Sequence, residues 1–238
     1  MQRQFSRWTL SAFLSVAALP AAAQAPAAGS ATPAAAVQTK ASQAAMTPDN
    51  ALVLLKEGNA RFASGKLLKR DFPAEVRATA AGQYPFGAIV SCMDSRGPVE
   101  LIFDQTFGDV FSIRIAGNVV NADVLGSLEY ATKVAGAKLI LVLGHTHCGA
   151  VKGAIDNVKL GNLTDLLGKI SPAVTAAGPG SAKDYSYIDR VAEQNARLAV
   201  KQIREKSPTV RELLASGAVR LVGGMYDIET GRVTFYGD

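Results

Sequence analysis

The chain has 238 residues, 25 Lys plus Arg against 20 Asp plus Glu, two cysteines and two histidines. Its formal charge of +5 invites a nucleic-acid partner, but residues 1–46 hold Arg3, Arg7 and Lys40 and no acid, which leaves 22 basic and 20 acidic residues from Thr47 onward. The nearly neutral remainder gives no electrostatic footprint for nucleic acid, the 48% hydrophobic content of the whole chain argues against disorder, and two cysteines cannot build a disulfide scaffold.

In chain order, Arg3 and Arg7 precede an apolar run from Trp8 to Leu19, followed by Pro20 and Ala21, Ala22, Ala23. This is the three-part layout of a secretory signal peptide, and the run is shorter than the about 20 residues of a membrane-spanning helix. A signal peptide over 1–23 implies export, with the bacterial periplasm as the simplest destination and no integral membrane segment in the mature chain. Residues 24–46 are rich in Ala and Pro without a periodic apolar face, and are expected to form a disordered tether. Residues 47–238 are expected to form one domain.

Thr47, Pro48 and Asp49 read as a helix start, and Leu52, Leu55, Asn59 and Phe62 recur at helical spacing after it. Strand-length apolar runs follow at Phe86 to Val90, Asp109 to Ala116 and Lys138 to Leu143, with a helical segment at Asn121 to Val134 between the second and third. Helical patterns occupy Asp184 to Lys206 and Pro208 to Ser216, and the chain closes on Val219 to Ile228 and Val233 to Tyr236 as a hairpin. Continuous apolar runs suit strands covered on both faces, so the fold class is α/β, a mostly parallel sheet flanked by helices.

In such a sheet ligands bind beyond the carboxyl ends of the strands. Both cysteines fall there. Cys92 opens Cys92-Met93-Asp94-Ser95-Arg96 after the first strand, and His145-Thr146-His147-Cys148-Gly149 follows the third. If these strand ends are neighbours, Cys92, His145 and Cys148 converge as a donor set that suits zinc and leaves a fourth position open, as catalytic sites do. Alternatives at this level are buried inert thiols and, in an oxidising compartment, a disulfide. Asp94 can be held ionised by Arg96, and can then accept a hydrogen bond at the site or occupy the open metal position itself. His147 lies between the ligand positions and is expected to point away from the point they share.

The paired motifs Cys92-x-Asp94-x-Arg96 and His145-x-x-Cys148-Gly149 resemble those of the β-class carbonic anhydrases. So do Gly108-Asp109-Val110-Phe111 through Arg114, Ala116-Gly117-Asn118, Ser127-Leu128-Glu129-Tyr130, Gly224-Met225-Tyr226-Asp227-Ile228 and Thr230-Gly231. The resemblance implies one zinc per subunit on Cys92, His145 and Cys148, with the Asp94–Arg96 dyad beside it. It implies reversible hydration of CO2 to bicarbonate and a proton by attack of zinc-bound hydroxide. It further implies a homodimer or a multiple of dimers, an N-terminal helix packed on the partner subunit, and a substrate pocket near the interface lined by Gln83, Phe111 and Tyr130. Two thiolates neutralise the formal charge of Zn²⁺ and weaken it as a Lewis acid, which the dyad can offset. CS2 or COS hydrolysis on the same ligands and a non-catalytic zinc-binding protein are the competing functions. Closure of the site by Asp94 at lower pH is open, although Trp8, the single Trp, lies in the leader and leaves no Trp-Arg-Tyr set for trapping bicarbonate.

Overall fold

A computed structural model describes residues 36–236, so the expected signal peptide and the first part of the expected tether lie outside the described residues. Four parallel strands, β1 (Gly87–Ser91), β2 (Val110–Arg114), β3 (Leu139–His145) and β4 (Arg220–Tyr226), stand in the order β2-β1-β3-β4. β5 (Val233–Tyr236) adds an antiparallel edge beside β4, as the hairpin pattern of the sequence requires. The expected mostly parallel sheet is therefore the observed one. All residues of β1 and β3 are buried, which is why their sequences show apolar runs and no alternation.

The helices, in chain order, are α1 (Lys40–Ala45), α2 (Pro48–Ala63), α3 (Phe72–Thr79), α4 (Val99–Ile102), α5 (Ala122–Glu129), α6 (Gly149–Ile155), α7 (Gly161–Gly168), α8 (Ser171–Ala176), α9 (Tyr185–Lys206) and α10 (Pro208–Ala215). One face of the sheet, through Ala88, Val90, Ile140, Val142 and Leu221, packs on α5, α9 and α10. The other, through Ile89, Leu139, Leu141, Leu143 and Val222, packs on Leu52 and Leu55 of α2 and on Val99 and Ile102 of α4. A third apolar cluster joins Cys92 and Cys148 to Val151, Leu167, Ile170, Tyr187, Ile188 and Val191 at the carboxyl end of the sheet. Among the described residues no helix is long and apolar enough to cross a membrane.

Two expectations need correction. The expected tether reaches Met46, yet Lys40–Ala45 is helical: Thr39 and Ser42 cap it reciprocally, and Gln43 Nε2 donates to Pro85 O at 2.7 Å and to Ala135 O at 2.8 Å. No residue of α1 is buried, so the sequence carries no apolar stripe there; polar caps and one long-range amide hold the helix. The helical segment expected over Asn121 to Val134 ends as regular α-helix at Glu129 and continues as a π-helical turn over Tyr130–Val134. The short helices α3, α4, α6, α7 and α8 have too few turns for periodicity to declare them.

Candidate metal centre

β1 and β3 are hydrogen-bonded neighbours, with Ser91 level with Leu143. Cys92, the next residue after β1, therefore lies beside Gly144 and His145 at the end of β3. The chain turns there and places Cys148 at the N-cap of α6. Gly144 is favoured by packing, because a Cβ on it would stand 2.6 Å from the Met225 sulfur, which would have to move, and 3.3 Å from Ala196. One donor atom from each of Cys92, His145 and Cys148 lies within 4.8 Å of the others, and all three residues are buried.

The donor states fit a metal. Both cysteines are free thiols, so the disulfide alternative is not realised. His145 Nδ1 lies 2.8 Å from the Thr146 carbonyl, which can only accept, so Nδ1 carries the proton and Nε2 presents its lone pair. That Nε2 is buried and, apart from the neighbouring Cys92 sulfur, has no partner among the described residues. A buried acceptor of this kind costs about 1–3 kcal/mol unless something occupies it. Contact between the two sulfurs pulls the Cys92 thiol down to about 4 and pushes that of Cys148 up. The Gly117 N–H also donates to Cys92 Sγ at 3.3 Å. One imidazole nitrogen and two sulfurs, one already thiolate-like, are the ligand chemistry of zinc.

Asp94 belongs to a different part of the site. Its Oδ1 accepts from Arg96 N and Nε at 3.0 and 2.9 Å, and its Oδ2 from Arg96 Nη2 at 2.8 Å. The Arg96 guanidinium, first among the causes, holds the Asp94 carboxyl below the usual carboxylate range. Asp94 Oδ2 is 3.9 Å from His145 Nε2, and Asp94 is not one of the three clustered donors. Arg114, which sequence reasoning did not single out, donates to the Cys92 and Asp94 carbonyls and so ties the end of β2 to the loop after β1. The cavity at this point measures about 10 Å³, room for about one water, and Tyr226 and Ile228 help to line it.

Sequence reasoning also missed a contribution from α9. Asn195 interrupts the apolar stripe of Ile188, Val191, Ala192, Ala196 and Ala199, and its Nδ2 donates to Gly117 O at 2.7 Å, holding the turn whose N–H reaches Cys92. A buried amide on an apolar stripe was the available signal. His147 turns from the metal donors as expected, its ring 4.2 Å from that of Tyr185 and its Nε2 4.0 Å from Asp189 Oδ2.

Gln83, Phe111 and Tyr130 are not brought to this centre within one chain. Phe111 and Tyr130 meet edge to face at 6.1 Å and line a surface groove with Ser112 and Ser127, while Gln83 lines another with Phe107. Tyr130 is half exposed.

The sequence-family model described as "Carbonic anhydrase" matches residues 87–233, which contain all three donors and the dyad. Carbonic anhydrase 2 of Mycobacterium tuberculosis (strain ATCC 25618 / H37Rv) is 38% identical over 184 residues, covering 75% of this chain and 87% of that one. Among solved structures, the β-carbonic anhydrase CcaA superposes with a TM-score of 0.62 at 28% identity over 78% of this chain and 94% of its own. One of the two tetrameric β-carbonic anhydrases of Sordaria macrospora matches with a TM-score of 0.62 at 27% identity over 70% of this chain and 87% of its own. A buried Cys-His-Cys donor set at the ends of two adjacent parallel strands, with an Asp–Arg pair beside it and these likenesses along the chain, places the protein in the β-class carbonic anhydrase family.

Proposed function

We infer that the protein is a zinc-dependent carbonic anhydrase that interconverts CO2 and bicarbonate plus a proton. The observation that carries this is the buried Cys92–His145–Cys148 donor cluster beside an ionised Asp94. Bound there, zinc supplies the Lewis acidity that makes water a nucleophile toward CO2 near neutral pH. The chain's own groups do the rest. Asp94, anchored by Arg96, is a fixed acceptor that cannot rotate without breaking a bidentate pair, so it orients a donor hydroxyl and stays ionised through the cycle. The Thr146 carbonyl keeps the His145 proton on Nδ1 and so reserves Nε2 for the metal. The Gly117 N–H draws charge from Cys92 Sγ, which offsets part of the electron density two thiolates donate.

The site is completed by a second subunit. In this reading Gln83, Phe111 and Tyr130 line the CO2 pocket across an interface, the protein is a dimer or a multiple of dimers, and α1 or α2 packs on the partner. Support comes from the exposed aromatic groove of Phe111 and Tyr130 at β2, an open sheet edge, and from the tetrameric state of the Sordaria macrospora neighbour. Export to the periplasm with removal of residues 1–23 rests on Arg3, Arg7, the Trp8 to Leu19 run and the Ala21 to Ala23 site. The catalytic unit then begins at about α1, earlier than Thr47. Stopped-flow CO2 hydration with zinc analysis on protein lacking residues 1–23 tests the activity. Hydration that depends on one zinc per chain is expected; a fully zinc-loaded sample with no hydration above pH 8 overturns the reading.

A further inference from the structure

His145 and Cys148 are separated by only two residues, so whether their donor atoms meet depends on the backbone of Thr146 and His147. Thr146 is held from the β4 side: its N–H donates to Tyr226 O at 2.9 Å and its Oγ1 accepts from Ile228 N at 3.1 Å. His147 has φ of 56°, in the left-handed region that few residues other than Gly enter, at a cost. Its N–H donates to Oδ1 of Asp189, on α9, at 2.7 Å. The second Asp189 oxygen lies 4.0 Å from His147 Nε2, and Tyr185, one turn earlier on the same helix, packs on the imidazole. These contacts come from a helix that is remote in sequence and supplies none of the three donor atoms. Residues in the left-handed region persist where the surroundings over-determine them.

We propose that Asp189 is a positioning residue for the metal centre: by holding the His147 N–H it keeps the turn in the conformation that brings His145 Nε2 and Cys148 Sγ to one ion. The inference rests on Cys92, His145 and Cys148 being the zinc ligands. Asp189→Ala removes the acceptor, and the turn relaxes toward a right-handed His147, which spreads the two donors. Outer supports of this kind change metal affinity by roughly 10- to 100-fold.

The test measures the rate of zinc transfer from the holoenzyme to a chelator, together with the absorption spectrum of the cobalt-substituted protein, whose visible bands report ligand geometry. Asp189→Ala is expected to lose zinc at least about 10-fold faster than wild type and to alter the cobalt spectrum. Asp189→Asn keeps an acceptor oxygen without the charge and is expected to match wild type. Adding His147→Gly to Asp189→Ala lets the turn adopt positive φ freely and is expected to restore slow zinc release. The proposal is overturned by wild-type zinc release from Asp189→Ala, by equal loss in Asp189→Asn, or by no recovery in the double variant. Should Asp189→Ala fail to fold, Asp189→Glu, which shifts the acceptor by one methylene, decides in its place: faster release supports the clamp and wild-type release overturns it. Wild-type protein that binds no zinc at Cys92, His145 and Cys148 defeats the ligand assignment instead, and is seen before any variant is made.

Discussion

The carboxyl end of β1 and β3 and the open edge at β2 are adjacent parts of one sheet, yet they differ in completeness. The first is buried and built by groups of the same chain: every donor of the metal cluster, the Asp94–Arg96 pair and the supports from Thr146, Gly117 and Asn195 are in place. The second exposes Tyr130, against which half-buried Phe111 packs, and, close by, Phe72 and Phe107, which pair edge to face at 6.0 Å beside a cavity of about 530 Å³. Metal chemistry thus belongs to the single chain, because two short loops at neighbouring strand ends suffice to build it. Selection of the substrate belongs, in our proposal, to the assembly, because its aromatic walls stand on a surface that one chain leaves uncovered.

Removing a donor is the most severe challenge to this division of labour. Cys92→Ala or His145→Ala is expected to abolish zinc retention and reduce CO2 hydration to the uncatalysed rate in stopped-flow assays. Retention of wild-type rates by either variant would show that the centre lies elsewhere. Arg96→Ala leaves the donors but frees Asp94. It is expected to keep one zinc per chain while lowering kcat/KM by roughly 10²-fold or more, the range of a positioned proton acceptor. At the other region, Tyr130→Asp is expected to leave zinc content unchanged, to shift the sedimentation profile toward monomer and to lower kcat/KM by about 10-fold, a change of about 1.4 kcal/mol. A variant that stays assembled with unchanged kinetics removes Tyr130 from the pocket. Asn195→Leu returns to the first region: it is expected to keep the fold and to speed zinc loss by about 10-fold, through the Gly117 turn that faces Cys92.

A separate expected effect concerns stability and not activity, near the β2 edge. Asp109 is buried, burial pushes its carboxyl up to about 6 from 3.8, and its Oδ2 accepts from Thr106 N at 3.0 Å. A carboxyl raised on folding binds its proton more tightly in the folded state. Its favourable contribution is therefore complete below about pH 4 and is lost as pH rises through about 6. Asp109→Asn keeps an acceptor for Thr106 and is expected to flatten that loss, worth at most about 3 kcal/mol at neutral pH, in urea unfolding followed from pH 4 to 7. An unchanged pH slope would mean that Asp109 is ionised in both states.

Much of this was legible in advance because the signals were local. β1 and β3 declared themselves through unbroken apolar runs, α9 through its long helical pattern, and the motif pairs at Cys92 and His145 through donor types at strand ends. The extent of α1 was not legible, since its support is the Gln43 amide reaching Pro85 and Ala135. Arg114 and Asn195 were not singled out either, because each acts on backbone groups far along the chain, which no spacing rule addresses.

Periodicity and residue chemistry are properties of short segments, and so the strands, the longer helices, the parallel sheet and the identity of the metal donors could be read from the chain alone. Packing had to decide that β1 and β3 are neighbours, that His145 presents Nε2, and that His147 is held by Asp189 in a left-handed turn. It also decided that Gln83, Phe111 and Tyr130 stand apart from the centre within one chain. These are relations between atoms remote in sequence, set by which strands pair and which helix packs on which face, and no local pattern carries them.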